Sequence, residues 1–241
     1  MAPLADAAAL RALGPTISVG MLTADLSALG AELAVIERAG VRVVHVDVMD
    51  GCFTPVLTVG PPFVRALRTP LVKDVHLMID EPLRTIRDYV EAGADLLTIH
   101  PEACTHVHRV LQELGALPHA ADPGRRVMRG VALNPGTPLA VLEPLIGDLE
   151  LIMLLAVNPG WGGQKFIPST FDRIAQVKAL IAGAPNPIAL AVDGGVTRDN
   201  IGAVAATGVD LIVTGSAVFD GRAAAANAQF MLEAVKRGAP K

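Results

Sequence analysis

The sequence predicts an α/β protein folded as a single (β/α)8 TIM barrel. Short β-branched runs alternate with helical patterns from one end of the chain to the other. The junctions Ala39-Gly40-Val41, Ala92-Gly93-Ala94 and Thr207-Gly208-Val209 each join a helix end to a strand start, where glycine accepts the left-handed turn. A chain of 241 residues, 51% hydrophobic and 18% charged, is ordinary for one such barrel.

Taken in order, residues 1–16 are expected to form a short helical extension packed under the barrel floor, with residues 17–241 forming the barrel. Strands are expected to begin near Ile17, Val43, Val72, Leu96, Val127, Leu151, Ile188 and Leu211, giving a βα unit repeated about eight times. Between them, Leu26, Leu29, Leu33 and Ile36 recur at helical spacing and Gly40 closes that helix. Leu83, Ile86 and Val90 form a second stripe ending at Gly93, and Phe171, Ile174, Val177 and Ile181 a third before Gly183. The stretch from Pro118 to Arg126 is expected to be an exposed connection without chemistry. An open doubly wound sheet is the competing architecture, but the G-x-G-x-x-G turn expected after its first strand is absent.

Composition excludes several function classes. A net charge of -4 argues against a nucleic-acid surface, and 3% aromatic residues leave no stacking platform for single strands. No apolar run is long enough to span a bilayer, and the opening Met1-Ala2-Pro3-Leu4-Ala5-Asp6 lacks the basic region of a secretory leader. Cys52 and Cys104 have neither metal nor redox spacing, which fits a reducing cytoplasm.

In a barrel of this kind reactive groups sit at the carboxyl ends of the strands. His45 and Asp47 are two apart on the second strand, so both face the same side; His76 ends the third strand and Asp193 the seventh. A ligand in the centre then meets Asp47 on one side and Asp193 on the other, which is what inverting a carbon beside a carbonyl requires. One acid group removes the proton from one face and the other returns a proton to the opposite face. Charge developing on the enediolate oxygens is stabilised by a divalent cation, and two His with two Asp suit Zn²⁺, Fe²⁺, Mn²⁺ or Co²⁺ alike. A lone imidazole at a strand end is ordinarily a hydrogen-bonded packing group; three such strand ends converging in one mouth point to chemistry.

Glycines reinforce the site. Asn158-Pro159-Gly160-Trp161-Gly162-Gly163-Gln164 follows the sixth strand, Gly194-Gly195 the seventh and Thr214-Gly215-Ser216 the eighth. Backbone N–H groups of loops after strands seven and eight commonly hold a phosphate, and Gly160 to Gly163 is expected to act as a mobile lid. Other candidates take a bland reading. His100, at a strand end without an evident partner, is expected to be structural; His106 and His108 are expected to be solvated; Lys73 lies near the floor; Cys52 has no base beside it.

The strings Asp47-Val48-Met49-Asp50-Gly51, Val75-His76-Leu77-Met78, Asn158 to Gln164, Val192-Asp193-Gly194-Gly195 and Gly215-Ser216-Ala217 occur in this order. Together they resemble the ribulose-phosphate 3-epimerase family over about Ile17 to Phe219. The resemblance implies a cytoplasmic isomerase of the pentose phosphate pathway, interconverting D-ribulose 5-phosphate and D-xylulose 5-phosphate. It implies one divalent metal ion held by His45, Asp47, His76 and Asp193, with Asp47 and Asp193 doubling as the acid/base pair. It further implies that Met49, Met78 and His76 line the substrate cavity and that Gly160, Trp161, Gly162, Gly163, Gly194, Gly195, Gly215 and Ser216 grip substrate and phosphate. Homo-oligomerisation belongs to the same implication, whereas nucleic-acid and membrane partners are not expected.

Three positions depart from the family's pattern. Gly20 stands where a substrate-contacting serine is usual, with Ser18 facing the same way roughly 7 Å deeper; Val56 replaces an asparagine; and Leu155 replaces a methionine. These departures bear on the substrate more than on the reaction type. The alternatives are the same chemistry on another ketose phosphate, such as D-allulose 6-phosphate, or a sugar-phosphate-binding barrel without catalysis. A related decarboxylase would carry D-x-K-x-x-D, which the chain lacks.

Overall fold

Parallel strands pair in sequence order and the last closes on the first. They are β1 (Thr16–Gly20), β2 (Val43–Met49), β3 (Val72–Met78), β4 (Leu96–Ile99), β5 (Met128–Leu133), β6 (Leu151–Leu155), β7 (Ala189–Asp193) and β8 (Leu211–Thr214). The computed structural model describes residues 6–240. Residues 1–5 of the expected helical extension, and Lys241, lie outside the described residues. Each expected strand start falls within one residue of the observed one.

Helices α1 (Ala7–Ala12), α2 (Leu29–Arg38), α3 (Pro61–Ala66), α4 (Ile86–Glu91), α5 (Val107–Ala116), α6 (Thr170–Ile181), α7 (Ile201–Ala206) and α8 (Ala224–Gly238) complete the fold. The glycine junctions behave as read: Gly40, Gly93 and Gly208 take φ of +96°, +93° and +75°. The expected regular βα repeat fails at the β5–β6 crossover, where Leu139–Asp148 forms a 3-10 segment. Pro144 sits inside it; lacking an N–H and clashing with the preceding turn, proline prevents an α-helix there. The 118–126 connection is exposed as read, save at His119 and Arg125: His119 is buried, and both its imidazole and Arg125 contact Asp95.

Both faces of the strands are covered, so they read as nearly continuous apolar runs. Outward residues such as Val44, Val46 and Val48 join the core beneath the helices. Inward residues at the amino ends of seven strands, Val43, Val72, Leu96, Met128, Leu151, Ala189 and Leu211, pack around Leu10 of α1, which plugs the floor. Further up β4 and β5, Thr98 meets Gly130, where a Cβ would lie 2.3 Å from the threonine Oγ1. No helix among the described residues is long and apolar enough to cross a membrane.

Candidate active site

The side-chain period of two carries β2 and β3 from an apolar floor to a polar mouth. Val43, His45, Asp47 and Met49 face inward on β2, as do Val72, Asp74, His76 and Met78 on β3; the register pairs His45 with Asp74 and Asp47 with His76. Asp193 ends β7. One ligand atom from each of His45, Asp47, His76 and Asp193 lies within 4.8 Å of the other three. His45 Nε2 is 3.1 Å and His76 Nδ1 3.2 Å from Asp47 Oδ1, and His76 Nδ1 is 3.6 Å from Asp193 Oδ2. The imidazoles are fully buried, whereas the Asp47 and Asp193 side chains keep 24% and 14% exposure. The acids therefore open upward while the histidines sit beneath them.

Above this cluster lies a cavity of about 870 Å³. Asp47 and Asp193 line it together with Gly20, Thr23, Gly162, Gly163, Gly194, Gly195, Gly215, Ser216 and Trp161. His45 and His76 lie below the lining, and Gly160 packs instead against Thr54 and Pro55. The two methionines also differ from expectation. Met49 and Met78 face each other in register, but Met78 is buried and Met49 lines a separate cleft with Leu57 and Tyr89.

The glycine turns are shaped by close approach. Gly194 has φ +99° and a Cβ there would lie 2.3 Å from Val157 Cγ2; Gly195 has φ +65° and a Cβ would lie 2.5 Å from Phe166 N. Neither position accepts a side chain without moving a neighbouring loop. Asn200 Nδ2 donates to Gly195 O (2.9 Å), and Gln164 Nε2 donates to the carbonyls of Asn158 and Trp161 (2.5 and 2.7 Å), folding the 158–164 loop on itself.

Burial works to raise the Asp47 carboxyl, but the adjoining His45 outweighs it and holds Asp47 well below the usual carboxylate range. Asp193 goes the other way: burial, then the charge of Asp47, pushes it up to about 6. Burial opposes charge on His45, yet Asp74 and Asp47 raise it well above the ordinary imidazole value. Two carboxyls in one cavity with proton affinities pushed apart form an acid/base pair in waiting.

Sequence reasoning missed several neighbours. Asp74, fully buried, places Oδ2 2.7 Å from His45 Nδ1 and accepts from the Ser18 hydroxyl at 3.0 Å. Ser18 is thus engaged below the cavity. Its inward period-two placement with His76 was the available signal for Asp74. His100 has the partner it was not expected to have: its Nε2 is 2.8 Å from His76 Nε2 on the adjacent strand. Lys165 lines the cavity as its one basic residue among the described residues. Asp50 accepts from the backbone N–H groups of Cys52, Phe53 and Asp80, tying the ends of β2 and β3 together. Lys73 donates its Nζ to Val64 O on the outer side, away from the mouth.

The ribulose-phosphate 3 epimerase family model matches residues 16–219. The chain belongs to this family. It is 44% identical over 206 residues to ribulose-phosphate 3-epimerase of Bacillus subtilis, covering 84% of this chain and 91% of that protein. It is 42% identical over 207 residues to the Escherichia coli K12 protein of the same name, covering 85% and 88%. Among solved structures, KGPDC from Streptococcus mutans superposes with a TM-score of 0.64 at 17% identity, covering 93% of this chain and 98% of that one. At that identity the likeness bears on the barrel alone. Within the epimerase family frame, the departures fall at distinct places. Gly20 lines the cavity and a Cβ there would sit 3.4 Å from Gly215 Cα, an ordinary contact; Val56 is exposed on the rim; Leu155 is buried in register with Asp193.

Proposed function

We propose that this protein interconverts D-ribulose 5-phosphate and D-xylulose 5-phosphate by proton transfer at carbon 3. The observation that carries the reading is the pair Asp47 and Asp193, which open on one cavity from β2 and β7. Those strands are three steps apart around the closed barrel one way and five the other, so the carboxyls approach a central ligand from well-separated walls.

The residues beneath fit one divalent cation. Two imidazole nitrogens and two carboxylate oxygens within 4.8 Å make a donor set suited to Zn²⁺, Fe²⁺, Mn²⁺ or Co²⁺. Bound there by His45, Asp47, His76 and Asp193, such an ion supplies Lewis-acid stabilisation of negative charge on the ketose oxygens. Asp47, the more acidic of the two carboxyls, accepts the proton from carbon 3 in one direction. Asp193, the stronger holder of a proton, delivers one to the other face; in the reverse reaction the roles exchange. The backbone of Gly194, Gly195, Gly215 and Ser216 supports a phosphate-binding role at the cavity's β7–β8 side, with Lys165 on the same lining. The 158–164 loop, with exposed Trp161, supports a lid that excludes water during transfer.

Incubation with ribulose 5-phosphate in deuterated water tests this. The expected result is xylulose 5-phosphate carrying deuterium at carbon 3. Absence of both epimerisation and exchange overturns the reading in favour of a binding barrel. Faster turnover of a six-carbon ketose phosphate than of the pentose reassigns the substrate and leaves the two-acid chemistry standing.

A further inference from the structure

Each of the two imidazoles in the cluster has a second ring nitrogen, and each of those nitrogens is engaged by a different buried group. His45 turns Nδ1 to Asp74 Oδ2 at 2.7 Å and Nε2 to the cluster. His76 does the reverse, with Nδ1 toward Asp47 and Asp193 and Nε2 against His100 Nε2 at 2.8 Å. A nitrogen-to-nitrogen contact that short requires one partner to donate and the other to accept. His100 settles which. Its Nδ1 is buried without a hydrogen-bond partner and faces Glu102 Oε2 at 3.4 Å. An N–H belongs on that nitrogen, aimed at a carboxylate. His100 Nε2 is then the acceptor, His76 Nε2–H the donor, and His76 Nδ1 carries a bare lone pair into the cluster. Glu102 is itself fixed, accepting from Asn134 N at 2.9 Å and from the Thr137 hydroxyl.

We propose that Asp74 and the His100–Glu102 pair are positioning residues that lock the two imidazoles in opposite tautomers, His45 as the Nδ1–H form and His76 as the Nε2–H form. With both N–H groups committed outward, two lone pairs face Asp47 Oδ1 at 3.1 and 3.2 Å. Lone pairs and a carboxylate oxygen facing one another this closely repel unless a metal ion, or in its place a proton on His45, stands among them. The outer groups thus preorganise the cluster for a cation. Ser18, donating to Asp74 at 3.0 Å, holds the carboxylate in turn. Groups holding metal-ligating histidines in this manner commonly change affinity by about 10- to 100-fold when removed.

The inference rests on the cation reading above, and the test separates the two. The full chain, stripped of metal, is titrated with Co²⁺ against a competing chelator, and the visible absorption of the Co²⁺ form is recorded. Ring ¹⁵N shifts of the metal-free protein, followed to a pH at which both imidazoles are neutral, report which nitrogen of each histidine carries the proton. Asp74→Asn keeps the side-chain volume but offers an amide, and His100→Phe keeps the stack on His76 while removing the acceptor. Each is expected to weaken Co²⁺ binding by about 10- to 100-fold. Asp74→Asn should mix the protonation of His45 alone, and His100→Phe that of His76 alone, a selectivity that general loosening of the fold would not produce. Wild-type affinity and unchanged ring protonation in both variants overturn the positioning role while leaving the metal reading intact. A wild-type chain that takes up no Co²⁺ at the four residues removes the metal reading and this inference with it.

Discussion

The two sides of the barrel mouth are built by different means. At β2–β3 the strands stay paired over seven residues, and the chemistry is carried by side chains that alternate inward along that ladder. At β7–β8 only Ala191–Leu211 and Val192–Ile212 pair, and beyond the strands the working groups are backbone amides in glycine turns. A reacting proton demands carboxyls and imidazoles held to fractions of an ångström, which a long ladder provides. A phosphate demands several N–H donors converging from a loop, which side chains at those positions would obstruct. The two sides should therefore fail differently: the first through chemistry, the second through fold and affinity.

The largest effect is expected at the two carboxyls, Asp47 of the first side and Asp193, the one reacting side chain that β7 supplies. Asp47→Asn and Asp193→Asn should each lower kcat by on the order of 10²- to 10⁴-fold, typical of losing a general acid or base, with little change in KM. Near-normal kcat in either variant, measured by a coupled assay, would remove the two-acid mechanism. Next, His76→Ala should reduce bound divalent metal at fixed free concentration, read by elemental analysis of the dialysed protein; unchanged content would remove His76 from the ligand set.

On the second side, Gly195→Ala should raise KM and destabilise the protein. The left-handed backbone alone costs an L-residue about 1–2 kcal/mol, and the added carbon would meet Phe166 N at 2.5 Å. Gly162→Ala, with open space around its Cβ, is the control; it should stay within about 0.5 kcal/mol in urea unfolding. Equal loss in both would mean that the β7 turn is no more constrained than the loop.

The smallest effect probes the support beneath the first side. Burial favours the neutral form of Glu102, but the adjoining His100 ring and hydrogen bonds from Thr137 and Asn134 prevail and bring it down to about 2. A carboxyl depressed in the folded state stabilises fully above its ordinary range and loses that contribution as pH falls through its folded value. Urea midpoints of wild type and Glu102→Gln should therefore differ at neutral pH and converge between about pH 5 and pH 2. A constant gap across that window would deny Glu102 its ionised role.

What the sequence made legible follows the same division. Strand starts were plain because β-branched runs abut glycines such as Gly40 and Gly93 that only one backbone geometry explains. His45, Asp47, His76 and Asp193 stood out because charged groups in apolar runs need a reason. Asp74 carried the same signal, but read singly it looked like one more polar strand residue; its meaning depends on the register between β2 and β3. The partner of His100 is hidden for a related reason, since His76 lies on the adjacent strand rather than near it in sequence. The 3-10 segment at Leu139–Asp148 was announced by Pro144, yet the expectation of a regular repeat concealed it. Which methionine faces which cleft depends on packing that no period reveals.

Leu10, wedged among the strand origins, makes the interior a vessel that, among the described residues, is stoppered below and open above. Substrate and product must pass through the same opening between the Trp161 loop and the turn at Gly215. Whatever leaves and whatever arrives therefore share one passage.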